Sequence, residues 1–355
     1  MNKYWKSIVV VIIVVASLCG SSCNNMKRSS IDGDTLALKE PTGPEFNADS
    51  AYFFCAQQCH FGPRIMNSEA HDKCEQWIIS KFQQYGCEVQ TQKADLKGYD
   101  GTVLHATNII ARYNPEATTR ILICAHWDSR PWADNDPDEK NHHTPVMAAN
   151  DGASGVAVMI ELARLLNQGQ ALVADSTAAD TAAVKNPMAL RSDLGVDFIC
   201  FDAEDWGTPQ WENDVAGDTW ALGAQYFADN LPKGYEARYG ILLDMVGGEG
   251  AQFYKEYMSN EFAPAIVNKV WAAAKSAGYG SFFPNTIGGG VTDDHIPLNK
   301  KANIPTIDII PYYPNCQQSS FGPTWHTIND TMNHIDKNTL KAVGQTLIQV
   351  LFTEE

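Results

Sequence analysis

The chain has 355 residues, 44% of them hydrophobic and 19% charged, with a net charge of −16. So acidic a chain is a poor partner for nucleic acid, whose phosphates are bound by lysine and arginine, and no basic stripe interrupts it. The length exceeds the ~100–200 residues usual for one domain but suits a single large α/β enzyme.

At the start, Lys3 and Lys6 precede the apolar run IVVVIIVVASL (8–18), which has the length of a signal-peptide core and is too short for a membrane span. Small residues then lead to Cys23. Residues 1–22 resemble a bacterial lipoprotein signal, which implies lipidation at Cys23, export, and a membrane-anchored place in the cell envelope (periplasm or outer membrane). Residues 23–47 are polar and contain prolines and glycines, so they are expected to form a flexible tether. Residues 48–355 show neither an internal repeat nor an interdomain linker and are read as one domain.

Within that domain, 67–88 predicts an amphipathic helix, with Ala70, Cys74, Trp77, Ile78 and Phe82 at helical spacing and Gly86 as its terminator. Strands are expected over 102–113 and 120–128, and a helix over 152–167 that carries Val156, Met159, Ile160, Ala163 and Leu166 on one face. The stretch 167–195 is rich in Ala, Asp, Thr and Ser and is too long for an ordinary connection; it is expected to be a surface excursion. Further strands are expected over 196–203, 239–246 and 304–311, and helices over 219–231, 261–277 and 337–352. This alternation predicts an α/β fold, a three-layer sandwich whose mixed, largely parallel central sheet is flanked by helices. Of the nine cysteines, Cys124 and Cys200 fall inside apolar strands and are expected to be buried thiols. No CxxC occurs, which argues against a thiolate zinc.

Several of these strands end alike. ILICAHWDS brings His126 and Asp128 to a strand end, FICFDAED brings Glu204 and Asp205, and ILLDMVGG brings Asp244. Asp151 opens the helix at 152, and TWHT adds His326. In open α/β sheets sites form beyond the carboxyl ends of the strands. Taken singly, each residue has a plainer reading: Asp151 as a helix N-cap, Glu204 and Asp205 as a solvated loop, His126 as a core histidine. Asp244 resists such a reading, because a buried unpaired carboxylate is costly. Together they fit a zinc site with an open position and a spare carboxylate for acid/base work.

HWDS, ANDGASGVAVMIELAR, FDAED, LLDMVG, DDHIP and WHT stand here in the order and spacing of the zinc aminopeptidase and glutaminyl cyclase superfamily, which the chain resembles over nearly all of 48–355. The resemblance to the two-zinc aminopeptidases implies His126, Asp151, Asp205, Asp244 and His326 as ligands, with His126 and Asp244 completing the second metal site. The resemblance to the glutaminyl cyclases implies one Zn2+ on Asp151, Asp205 and His326, with Glu204, Asp244 and Asp293 as an acid network. VTDDHIP, Trp325 before His326, and Trp211 after the acid pair favour the cyclases. That resemblance implies peptides or proteins with N-terminal glutamine as substrates, pyroglutamate and ammonia as products, and Glu204 as the proton carrier. Trp325, Trp211 and Trp127 would then wall the substrate pocket.

Overall fold

The structure, a computed structural model, describes residues 41–176, 188–212 and 217–355. The signal peptide, Cys23 and the tether up to residue 40 lie outside these residues, as do 177–187 of the expected surface excursion. Residues 41–47, expected to be tether, are instead packed on the domain. Phe46 is buried, its backbone N–H donates to Gln345, and Thr42 donates to Gln349. An aromatic side chain with an apolar groove within reach gains more from burial than a tether gains from freedom.

Asn47 starts α1 (Ala48–His60) by accepting from the Ser50 N–H, and Ser68 starts α2 (Glu69–Gln84) by accepting from the His71 N–H, each satisfying a helix-end donor. In α2 the expected face, Cys74, Ile78 and Phe82, is buried. Then come β1 (Glu88–Lys97), β2 (Val103–Tyr113), β3 (Thr119–His126), α3 (Ala153–Ser176), β4 (Leu194–Phe201), α4 (Leu222–Asp229) and β5 (Gly240–Leu243). The chain closes with α5 (Tyr257–Phe262), α6 (Pro264–Ser276), α7 (His295–Lys300), β6 (Thr306–Ile309) and α8 (Lys337–Phe352).

The six strands form one sheet in the order β1-β2-β4-β3-β5-β6. β1, β2 and β4 pair antiparallel, while β4, β3, β5 and β6 run parallel. Side chains alternate across the sheet, as the strand period requires. Ile121, Ile123, Val196, Phe198, Ile241 and Ile307 join the core on one face, which α1, α2, α3, α6 and α8 cover. Leu122, Cys124, Ile199, Phe201 and Leu242 face the other way, under Ala224 and Phe227 of α4 and Leu298 of α7. The mixed three-layer sandwich is therefore as expected, and Cys124 and Cys200 are buried thiols; all seven described cysteines are free.

Several elements differ from expectation. The helix at 152 continues to Ser176, taking in the first part of the expected excursion, because NQGQALVADS keeps mostly tolerable helix formers. The helix expected over 261–277 is two helices. Pro264 has no N–H to donate and opens α6 at its first turn. β1 went unpredicted because its covered side is only half-buried, at Gln92, Ala94 and Leu96 between exposed residues, so few apolar side chains mark its alternation. At Gly155 a Cβ would stand 2.3 Å from the Leu243 carbonyl oxygen and 2.8 Å from Ala125. Its absence lets α3 press onto the sheet beside the ends of β3 and β5.

Candidate active site

The parallel strands deliver their polar residues to one edge. His126 is the last residue of β3, Asp202–Asp205 follow β4, and Asp244 follows β5. The loop before α3 supplies Asp151, and the loop before α8 supplies His326. Three of these turns need left-handed backbone at residues other than glycine: φ is 52° at Ala203, 51° at Met245 and 53° at His326. The main chain thus bends sharply beside Glu204, beside Asp244 and at the histidine itself.

Asp151, Asp205 and His326 come together, with ligand atoms within 4.8 Å of one another. The His326 Nε2 lies 3.2 Å from Asp205 and 3.6 Å from Asp151. Both carboxylate oxygens of Asp205 are buried without a hydrogen-bond partner, an arrangement that is costly unless a cation sits there. Two carboxylates and one imidazole, converging with an open side, fit zinc. His126, Asp151 and Asp244 form a second such group. The His126 Nε2 is 3.0 Å from Asp151 and 3.4 Å from Asp244, so Asp151 belongs to both.

The residues behind this ring fix it. Asp128 accepts the backbone N–H groups of Glu204 and Asp205, and Asp330 accepts those of Asn150 and Asp151. Fully buried Arg130 grips Asp134 through two nitrogens, at 2.8 and 2.6 Å, and donates to the carbonyls of Asp205 and Gly207. Asp134 in turn lies 3.3 Å from the His326 Nδ1, the kind of carboxylate–histidine contact that orients a ligand. Burial works against its charge, but the bonds to Arg130 and His326 hold Asp134 below the usual aspartate range. Asp202, one residue after the strand, accepts from the Thr107 and Ala203 N–H groups and pairs with His71; it is part of the scaffold.

Glu204, Asp244 and Asp293 line one hollow of about 310 Å³, together with Asp151 and His326. Burial, then the charges of Asp293, Asp205 and Asp294, push Glu204 well above the usual glutamate range, with His126 opposing. Burial and the Asp151 and Asp205 charges push Asp244 up to about 6 against the pull of His126. Asp293 is pushed up to about 7 by burial and by Asp244. Asp308, buried behind them, is itself pushed well above the usual aspartate range by burial and by the charges of Asp293, Asp244 and Glu256. Such a row holds protons readily, because neighbouring carboxylates cannot all ionise at low cost.

The opposite wall is aromatic: Trp220, Phe321 and Trp325. Trp325 stacks on the His326 ring with centroids 3.8 Å apart, and Phe321 leans on Trp325 at 4.8 Å. The Arg130 guanidinium lies 4.7 Å from the Trp220 ring. Gly207 makes room for that indole, since a Cβ there would stand 2.1 Å from it. Of the three tryptophans expected in the wall, only Trp325 is there. Trp127 is wholly buried, stacked on His71, and donates to the Thr107 carbonyl. Trp211 packs against Trp132 and His143 outside the hollow. Sequence reasoning also missed Trp220, Phe321, Arg130 and Asp134. Only the acid-rich stretch DNDPDE hinted at Asp134; the others depend on how loops fold back.

A model of peptidase family M28 matches residues 108–351. Among curated relatives, a glutaminyl-peptide cyclotransferase of Gloydius blomhoffii is 26% identical over 263 residues, which cover 70% of this chain and 65% of that protein. The chain thus spans slightly under two thirds of that relative's length. Among solved structures, Bacteroides thetaiotaomicron glutaminyl cyclase bound to N-acetylhistamine is 51% identical with a TM-score of 0.80, over 88% of this chain and 100% of that one. A leucine aminopeptidase precursor from Bacteroides thetaiotaomicron VPI-5482 is also 51% identical, with a TM-score of 0.78, over 88% and 99%.

Proposed function

The chain belongs to peptidase family M28, and from that premise we propose that it is a zinc-dependent glutaminyl-peptide cyclotransferase, which converts the N-terminal glutamine of peptides or proteins to pyroglutamate and ammonia. The observation that carries this reading is the single small hollow in which a row of proton-holding acids faces an aromatic wall above Asp151 and His326. The likeness to the solved glutaminyl cyclase supports it.

One Zn2+ held by Asp151, Asp205 and His326 would act as a Lewis acid toward the γ-carboxamide oxygen of the substrate. The substrate's own α-amine is the nucleophile, so the chain need supply none. Its contribution is to hold amine and carbonyl together, which in the best intramolecular cases is worth ~7–11 kcal/mol. Trp220, Phe321 and Trp325 flank the glutamine side chain and exclude water. Glu204 accepts a proton from the α-amine nitrogen as that nitrogen bonds to the amide carbon. It returns the proton to the amide nitrogen as the carbon–nitrogen bond breaks, and ammonia leaves. Asp244 and Asp293 keep Glu204 among carboxyls that share protons, so it can both take and give one near neutral pH.

The His126–Asp151–Asp244 group favours a second reading, a two-zinc aminopeptidase that hydrolyses N-terminal residues with Glu204 as base. Incubation with Gln-peptides and Leu-peptides separates the two. Ammonia and pyroglutamate from the first, with one zinc per chain by elemental analysis, are expected. Free amino acids without ammonia, and two zinc ions, would overturn the cyclase reading.

The signal-like sequence of 1–22 supports export and a lipid on Cys23, which would tie the enzyme to a membrane of the cell envelope. The expected result is that Cys23→Ala moves the protein from the membrane to the soluble fraction. Unchanged membrane recovery would count against the lipid.

A further inference from the structure

The second half of α1 and the residues after it hold the loop that opens α3. The Cys55 thiol donates to the Ala149 carbonyl at 3.0 Å, and Gln58 donates to the Ala153 carbonyl at 2.9 Å. Arg64, wholly buried, donates to the carbonyls of Met147 and Ala148. Asp151 lies within the stretch so held. We propose that Cys55 and Cys59 form an oxidation site, closing to a disulfide that withdraws Cys55 from Ala149 and loosens the Asp151 loop. The proposal rests on Asp151 as a zinc ligand, not on which reaction the zinc serves.

Three features carry it. The first is spacing. Cys55 and Cys59 stand four residues apart in α1, hence on one face of the helix with Cβ atoms ~5–6 Å apart. A disulfide brings the Cβ atoms to ~3.5–4.5 Å, so the turn must tighten. Cys59 stands next to the last residue of the helix, where the N–H groups of Phe61 and Gly62 bond three residues back, to Gln58 and Cys59. This end is already wound in the tighter 3₁₀ manner. A bond closed against the helix is strained and therefore readily reduced again. The second feature is reactivity. Of the seven described cysteines only Cys59 and Cys316 are not buried. Contact with the Cys55 thiol, opposed by burial and aided by Arg64, holds Cys59 below the ordinary thiol range, which favours the thiolate that attacks oxidants. With a hydroperoxide as oxidant, the Cys59 thiolate attacks the O–O bond, its sulfur is oxidised to a sulfenic acid, and hydroxide leaves. The Cys55 sulfur then attacks the Cys59 sulfur, the S–S bond forms, and the sulfenic hydroxyl departs as water with the Cys55 proton. The third feature is consequence. A disulfide sulfur has no proton to donate, so the carbonyl of wholly buried Ala149 loses this partner, two residues before Asp151.

The test treats the full-length, zinc-loaded chain with hydrogen peroxide and digests it with trypsin. Both thiols fall on the peptide 40–64, whereas Cys74 falls on another. The expected product is an internal disulfide in 40–64 that dithiothreitol reverses. Competition with a chelator should show zinc held roughly tenfold less tightly in the oxidised chain, the low end of what a lost outer partner costs a metal site. Cys59→Ser removes the attacking sulfur and keeps the Cys55 donor. Its zinc affinity should match that of the reduced wild type and should not respond to peroxide. Four results would overturn the site: no internal disulfide in 40–64, a Cys59–Cys74 cross-link in its place, unchanged zinc affinity once the disulfide has closed, or a peroxide response that persists in Cys59→Ser. A reduced chain that held no zinc would instead overturn the ligand reading of Asp151, and the mass of 40–64 would still decide whether the disulfide forms.

Discussion

Two groups of buried carboxylates share one hollow and are backed in opposite ways. Behind Asp151, Asp205 and His326 stand Arg130, Asp134 and the N–H-gripping acids Asp128 and Asp330. Behind Glu204, Asp244 and Asp293 stand more acids, Asp294 and Asp308, both wholly buried and with carboxylates that lack hydrogen-bond partners. The first group is held in fixed directions, with the Arg130 guanidinium 3.6 Å from the Asp205 carboxylate. The second is made crowded with negative charge, so that protons stay. In the proposed reading, identical functional groups serve as metal ligands or proton carriers according to what lies one layer deeper.

Glu204→Gln tests that division most severely. Loss of the proton carrier should lower kcat/KM by ~10²–10⁴, while elemental analysis still finds the zinc. If the zinc left as well, the two groups would be one. Asp134→Asn touches the other side. It weakens the hold on His326 and should reduce zinc affinity by ~10–100-fold, read by competition with a chelator. Unchanged affinity would mean that Asp134 serves only Arg130.

The pH profile sharpens the comparison further. The proposed mechanism uses Glu204 in its ionised form, so kcat/KM should fall on acidification through a pKa above the ordinary ~4.3 of glutamate. Asp293→Asn removes a like charge that helps to raise that pKa. The acid limb should then move to lower pH, apart from any limb of the substrate amine near ~7.7–8.0. A limb that stays in place would assign it to another group. The smallest effect is on stability. Burial and the charges of Asp293, Asp244 and Glu256 raise Asp308 well above its usual range. Above about pH 3.9 the folded chain therefore holds a proton that the unfolded chain gives up, and stability falls as pH rises. Asp308→Asn carries no such proton-linked cost and should be more stable at pH 7, with the gain fading below the unfolded pKa. Urea unfolding at two pH values measures it.

Asp293 and His326 lie in loops and were legible only through the motifs DDHIP and WHT, whereas other acids and histidines were legible because each closes an apolar strand or opens a helix, and the strand order then brings them to one edge. Asp205, Asp244 and His126 are of this kind. The aromatic wall was not legible in that way. Trp127 is adjacent to His126 in sequence, yet successive residues leave a strand end on opposite sides, and it turns toward His71 instead of the hollow. Trp220 enters from a loop whose return is set by Gly207 and Arg130, contacts that no spacing rule encodes. Phe46 and β1 escaped notice for a simpler reason: one is a lone aromatic in a polar stretch, and the other has only a half-buried face with few apolar residues to mark it.

The left-handed turns at Ala203, Met245 and His326 bear on transplantation. A residue other than glycine held there costs on the order of 1–3 kcal/mol, and it persists only because the surrounding sandwich over-determines it. The same side chains grafted onto a relaxed backbone at the same spacings would match the inventory and miss the aim. For anyone rebuilding this chemistry in another scaffold, the bends are part of the recipe.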